Sequence, residues 1–254
     1  MKEPKEIVNI LERGIELPSG TDERFAGYGV MGVPFTSGHI LALRRFPITS
    51  IGYGYTSLWH RNPSGHWTFI QDVPPQNGCS RYFGSAVDRI IERKIDINWK
   101  NPSEFSVEIE GDYPVQWEVS LKLDTMSRVM NTAARLIPDK WWRKRALLSI
   151  VGKTGGILLG AGRLNLTGNV PNGQQFVSNP KTVFMVASSR AVVCSRDLGP
   201  VGPLAEQARL ADIWLPQSGR FFIGNVYLES FNPIRHIAAT SRSSATVVDN
   251  FCSA

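Results

Sequence analysis

Two periods of apolar spacing divide this chain. Phe105, Val107 and Ile109 alternate with Ser106, Glu108 and Glu110, and after a Gly111-Asp112 turn the alternation resumes at Val115, Trp117, Val119, Leu121 and Leu123. A period of two places one face of a strand against a core and the other in water, so these runs predict antiparallel strands with one wet face. Ile91, Ile95, Ile97 and Trp99 against charged neighbours predict another strand, from Lys94 to the stop at Asn101-Pro102. Four short β-favouring runs come earlier: Phe25 to Val33, His39 to Phe46, Ile51 to His60 and His66 to Val73. Pro34, Pro47 and an Asn62-Pro63-Ser64-Gly65 hairpin turn separate them.

At Asp124 or Thr125, either a good N-cap, the period changes. Met126, Val129, Met130, Ala133, Ala134 and Ile137 fall at helical spacing as far as Pro138. Pro138 suits the first turn of a second helix, whose apolar stripe is Trp142, Ala146, Ile150 and Val151 and whose end falls at Gly152 or Gly155. Strand-like runs return at Gly162 to Val170, Gln175 to Val177, Thr182 to Cys194 and Phe221 to Phe231, while Leu204 to Leu210 reads as one or two helical turns. The expected fold is mainly β, an antiparallel meander of roughly ten strands closing into a barrel, with a two-helix insertion at 125–160. Residues 1–23 supply a short helix, Pro4 to Arg13, and a lead-in; 24–237 form the barrel domain; and the Ser-, Thr- and Ala-rich tail, 238–254, is loosely ordered.

At 254 residues, 42% hydrophobic and 20% charged, the chain has material for a real core. Its charge is unevenly placed. Between Arg135 and Lys153 stand Arg135, Lys140, Arg143, Lys144, Arg145 and Lys153 against Asp139 alone, which makes +5 of the formal +6. A nucleic-acid face requires cations spread along one surface or a known module, and neither is seen. The run Lys140-Trp141-Trp142-Arg143-Lys144-Arg145 sets indoles beside cations, as in helices at anionic membrane surfaces or docked on acidic partners; its other reading is a solvated basic face with tryptophans packed on the barrel. The N-terminal segment has no apolar signal core and no run is long enough to span a bilayer, so a cytoplasmic location is expected, with peripheral membrane contact as the variant.

Cys79, Cys194 and Cys252 are odd in number and far apart, which suggests neither a disulfide framework nor a zinc knuckle. His39, His60, His66 and His236 lack HxH or HExxH spacing, so no metal is expected. Gly152-Lys153-Thr154 has Leu147 where a phosphate-binding loop needs glycine, and Gly27-Tyr-Gly29 and Gly52-Tyr-Gly54 lack the third glycine of a dinucleotide fingerprint. No cofactor is expected.

The densest polar-aromatic stretch is Trp59-His60-Arg61 through His66-Trp67 to Asp72, Cys79, Arg81 and Tyr82. Two strands joined by the 62–65 turn set several of these side chains around one surface, as binding sites require. His60, Asp72 and Cys79 are residue types from which an activated thiol is built, but no cysteine-protease signature surrounds Cys79. His60, Asp72, Arg81 and Tyr82 are the candidate catalytic set. Trp59, Trp67, Phe69, Trp117 and Trp214 are candidate walls, and Glu118, Arg163 and Asn165 would orient a ligand if the barrel interior is partly polar. The plainer reading of the aromatics is sheet core.

From Arg24 to Phe231, this meander of aromatic-rich strands with a helical interruption resembles lipocalin-type (calycin-like) barrels. It is nearest in character to the carotenoid-hydratase and pericyclase-like lipocalin enzymes of natural-product pathways. Gly27-Tyr28-Gly29 stands where the family's Gly-x-Trp would, and no catalytic residue carries over. The resemblance implies a cup-shaped barrel around an apolar terpenoid, polyene or polyketide-like molecule, with the helices as a lid. Such a barrel would carry its ligand or catalyse its cyclisation, isomerisation or hydration without a cofactor.

Overall fold

A computed structural model describes residues 2–14, 16–136, 141–142, 144–238 and 252. After helix α1 (Pro4–Glu12), strands β1 (Glu23–Pro34), β2 (Ile40–Thr49), β3 (Tyr53–Arg61) and β4 (Trp67–Gln71) form an antiparallel meander. The β3–β4 hairpin turns as its sequence predicts: Gly65 takes φ +92°, where glycine is unstrained, and the Asn62 side chain accepts the His66 N–H. A crossover through the one-turn helix α2 (Ser80–Phe83), flanked by 3₁₀ turns, then leads to β5 (Arg89–Glu92), which lies parallel to β4. A second meander follows, β6 (Asp96–Asn101), β7 (Glu104–Ile109) and β8 (Val115–Lys122).

Helices α3 (Thr125–Leu136) and α4 (Arg145–Leu158) come next, then the short β9 (Thr167–Asn169) and the long β10 (Gln175–Val193). After β11 (Arg196–Asp197), β12 (Arg209–Leu210) and β13 (Ile213–Trp214), strand β14 (Arg220–Leu228) inserts between β1 and β10 and joins the two meanders. The sheet order is β5-β4-β3-β2-β1-β14-β10-β8-β7-β6.

The sheet curls without closing. Leu43, Leu58 and Ile70 from one arm and Val107 and Trp117 from the other share one buried cluster. His60 of β3 reaches Tyr113 of the β7–β8 turn at 2.6 Å, and Arg93 reaches Asp112 at 3.0 Å. These are side-chain bridges; β5 and β6 do not pair, so the expected closed barrel is corrected to a half-barrel. The lipocalin-like expectation therefore holds only as far as a curled, mainly antiparallel sheet.

Several boundaries are corrected. Gln175 to Val177 and Thr182 to Cys194 are one strand, bent by a register shift between Asn179 and Thr182 that accommodates Pro180, which has no N–H for the ladder. At that bend the buried Asn131 side chain of α3 accepts the Val183 N–H at 2.8 Å and donates to the Val183 carbonyl at 2.9 Å. Leu204 to Leu210 is not helical, and its end pairs with β13 in a two-stranded ribbon. Of Gly162 to Val170 only Thr167–Asn169 is strand.

Asp124 caps α3, its carboxylate accepting the Ser127 N–H at 2.9 Å. Gly152 and Gly155 do not end α4. A β-carbon at Gly156 would lie 2.2 Å from the Gly162 carbonyl oxygen, and one at Gly152 would lie 2.8 Å from that of Leu164. Glycines inside α4 thus let segment 162–166 pack directly on the helix backbone.

Cys194 and Cys252 are joined by a disulfide with Cα atoms 5.0 Å apart, within the usual span. Ile137, Pro138 and the tail from 239 to 251 lie outside the described residues. Among the described residues, no helix is long and apolar enough to cross a membrane.

Candidate functional site

Each strand of the first meander has two buried faces. The inner face carries the cluster just described. The outer face carries Phe25, Ile40, Phe46, Tyr55, Trp59 and Phe69, roofed by α2, by Val170 and by the β12–β13 ribbon. Roof and sheet do not meet everywhere. A cavity of about 110 Å³ remains, walled by Phe25, Phe46, Trp59, Tyr82, Trp214 and Phe222, with Arg44, Tyr55 and Cys79 as polar members.

Arg44 sits there because of a fault in the β1–β2 ladder. Its register shifts between Val30 and Val33, and Arg44 donates to the carbonyls of Val30 at 2.5 Å, Met31 at 3.2 Å and its neighbour Leu43 at 2.9 Å. Its guanidinium lies 4.6 Å from the Trp59 ring and 5.3 Å from that of Phe222. Among the described residues no carboxylate lies within ion-pair reach of it. Burial lowers its pKa to about 10, so it stays charged near neutrality. A guanidinium has five N–H donors; three bond to these carbonyls, and the side chain lines the cavity.

Beside it, the Tyr55 hydroxyl and the Cys79 thiol are 3.5 Å apart. Burial pushes the pKa of both up, the stronger effect, while Arg44 pulls both down. Both are therefore neutral O–H and S–H groups near pH 7, and Cys79 lacks the thiolate character of a nucleophile.

The cavity gathers Trp59, Tyr82, Asn165 and Trp214 from the sequence-derived candidates. Asn165 donates to the Asp212 carbonyl at 3.0 Å, and the guanidinium groups of Arg163 and Arg209 lie 5.1 Å and 5.6 Å from the Trp214 ring. Arg81 is a latch outside the wall: it pairs with Glu23 at 2.7 Å while the Tyr82 hydroxyl donates to the same carboxylate at 2.6 Å, which holds the α2 turn on β1. Asp72 accepts the Thr56 N–H at 2.7 Å.

The other candidates stand elsewhere. His60 is on the inner face, bonded to His39 at 2.9 Å and to Tyr113, so His60, Asp72 and Cys79 do not converge on one site. Trp67 and Phe69 are buried in the outer-face core. Trp117 is in the inner core and donates to Ser189 at 2.7 Å; Glu118 is exposed and paired with Lys100. Trp142 is buried against Leu148 and Leu166, as in the packed one of its two readings. Trp141 is exposed with the Lys144 ammonium 4.9 Å from its ring. Lys140 and Arg143, and the side chain of Arg145, lie outside the described residues. Among the described residues no cluster of three or more His, Cys, Asp or Glu is placed to hold a metal.

Arg44 and Tyr55 were missed. Arg44-Arg45 at the end of an apolar run reads as a strand leaving the core, and no local pattern reports a ladder fault.

A second cavity of about 240 Å³ lies under α3 and α4, lined by Met130, Trp142, Gly155 and Val183 among others. Met31, Leu164 and Leu166 line both cavities and form the partition between them.

No protein-family model matches the chain, and no curated protein matches it in sequence. Among solved structures it is similar to an acetoacetate decarboxylase from Legionella pneumophila subsp. pneumophila str. Philadelphia 1, with a TM-score of 0.37 and 10% identity, covering 89% of this chain and 90% of that one. A likeness at that level assigns no residue and no substrate.

Proposed function

We propose that the protein binds a small apolar molecule carrying one anionic or strongly accepting oxygen group, seated in the roofed cavity with that oxygen on Arg44. The observation that carries this reading is a half-buried, charged guanidinium, three of whose N–H donors bond to backbone carbonyls, lining a cavity with an aromatic wall. A half-buried charge with no carboxylate partner among the described residues is costly, and a ligand carboxylate, enolate or carbonyl would offset that cost through a charge-assisted hydrogen bond. On this reading the ligand sits behind the sheet, between its outer face and the roof, and not in the bowl of the half-barrel.

Volume bounds the ligand. A cavity of about 150 Å³ accommodates benzene, so 110 Å³ limits the enclosed part of a ligand to at most a single ring or a branched five-carbon unit. A whole terpenoid, polyene or polyketide-like molecule would have to pass the Met31, Leu164 and Leu166 partition, because neither of these two cavities alone reaches the roughly 300 Å³ at which ligand pockets begin, whereas the two combined exceed it.

Binding is favoured over turnover. General acid–base catalysis needs a group whose pKa lies near the working pH; among the described lining residues there is no carboxylate or imidazole, and burial pushes the pKa of Tyr55 and of Cys79 up and away from that range. Tyr55 and Cys79 support hydrogen-bonded orientation instead.

Native mass spectrometry of the purified protein, followed by denaturing extraction, tests the reading. A stoichiometric apolar compound with one acidic or carbonyl oxygen group is expected. A purely polar compound, or protein that stays empty after incubation with apolar acids, counts against it.

A further inference from the structure

Of eleven large apolar side chains exposed among the described residues, six belong to the helical insert: Val129, Leu136, Trp141, Ile150, Ile157 and Leu158. The insert is a small part of the chain, so this concentration is not the ordinary scatter of surface apolar residues. The side chains are also ordered. Leu136 follows Val129 by two helical turns on α3, and Ile157 follows Ile150 by two turns on α4, so each helix shows an apolar row to the outside. Val129 at 58% exposure and Leu158 at 54% both line the second cavity, so an exposed apolar residue from each helix stands on its wall.

Charge decides what covers such a face. Residues 126–160 hold seven Lys or Arg, the six named above plus Arg128, against Asp139, and so carry the whole formal +6 of the chain. Arg128, Lys144 and Lys153 are exposed, and among the described residues none is paired with a carboxylate. Apolar rows interleaved with unpaired cations, on helices too short to cross a bilayer, are the chemistry of an element lying in an anionic lipid interface.

We infer that the α3–α4 face docks on an anionic bilayer surface, with the cleft between Val129 and Leu158 turned toward the lipid as the mouth of the second cavity. The docking stands on the surface alone. Only the passage of ligand through that mouth rests on the binding function proposed above.

Flotation of the whole protein with vesicles tests the inference, comparing phosphatidylcholine alone with phosphatidylcholine containing phosphatidylglycerol. Binding is expected to the anionic vesicles only, to weaken as salt is raised, and to fall about fivefold for each cation removed at Arg128, Lys144 or Lys153. Ile150→Asp and Ile157→Asp, both on the exposed row, are expected to abolish it without changing the unfolding midpoint. Failure to float with anionic vesicles at low salt overturns the inference, as does flotation that these substitutions leave unchanged. So does binding restricted to an acidic polypeptide such as polyglutamate, which would make the face a protein-docking surface. Carboxylate affinity measured in solution on the same variants should equal that of the unaltered protein, which separates a failure of docking from a failure of the cavity.

Discussion

The Arg44 guanidinium stands 4.6 Å from the Trp59 ring, from the neighbouring strand. Arg44 thereby joins two roles: its carbonyl bonds hold the β1–β2 ladder together where the register slips, and its guanidinium brings a positive charge to a cavity that Trp59 helps to wall. Both roles can be measured apart.

Arg44→Met keeps an apolar stem beside Trp59 but leaves the carbonyls of Val30, Met31 and Leu43 without these donors. A loss of about 1–3 kcal/mol is expected in urea unfolding. Arg44→Lys, a point charge in place of a planar fork, should recover only part of it. Equal stability of all three proteins would remove the ladder role.

The three cysteines should separate by reactivity. Without reductant, alkylation of the folded protein is expected to be slow and confined to Cys79, which is buried, with its thiol pKa pushed up by burial. Denaturation alone should expose one thiol, and denaturation with reductant all three, because Cys194 and Cys252 are linked. Rapid labelling of Cys79 in the native state would reopen a thiolate role.

Acid should destabilise the fold through the inner-face histidines. Burial, the larger effect, lowers the pKa of His60 to about 3 with His39 adding to it, and burial lowers that of His39 to about 4 with Arg196 adding to it. The unfolded chain takes up these protons near pH 6.5. Unfolded protein therefore binds more protons than folded between about pH 6.5 and pH 4, and stability falls as pH drops through that window, by at most about 1.4 kcal/mol per unit for each histidine. Denaturant midpoints across the window should show a shallower slope in His39→Gln/His60→Gln; an unchanged slope would assign the effect to other groups.

Gly156→Ala sets propensity against packing. Alanine is favoured over glycine in a helix interior by about 1 kcal/mol, yet its β-carbon here would meet the Gly162 carbonyl oxygen at 2.2 Å. Net destabilisation of about 1–3 kcal/mol is expected in thermal or urea unfolding. A stabilised variant would show that segment 162–166 is not packed on α4.

What the sequence disclosed follows from solvent. β7 and β8 have one wet face, so Phe105, Val107, Trp117 and Val119 alternate visibly with Glu108 and Glu118. The N-cap at Asp124 is a local signal and was legible too. β1 to β4 are covered on both faces, which erases the alternation that would have told Trp59, on the cavity side, from His60, on the inner side. The glycines of α4 read as stops because only tertiary contact shows what they admit. Curl without closure is set by the parallel edge β5 and by side-chain bridges such as His60–Tyr113, which leave no periodic trace.

The most direct test of the cavity uses matched straight-chain carboxylates and alcohols of increasing length, titrated against the tryptophan fluorescence that Trp59 and Trp214 lend the cavity. Each carboxylate is expected to bind at least about tenfold tighter than its alcohol, a difference of roughly 1.4 kcal/mol or more from one charge-assisted contact, and Arg44→Met to abolish the difference while leaving the alcohols unchanged. Equal affinity for acid and alcohol in the unaltered protein, or an acid preference that survives Arg44→Met, would contradict it.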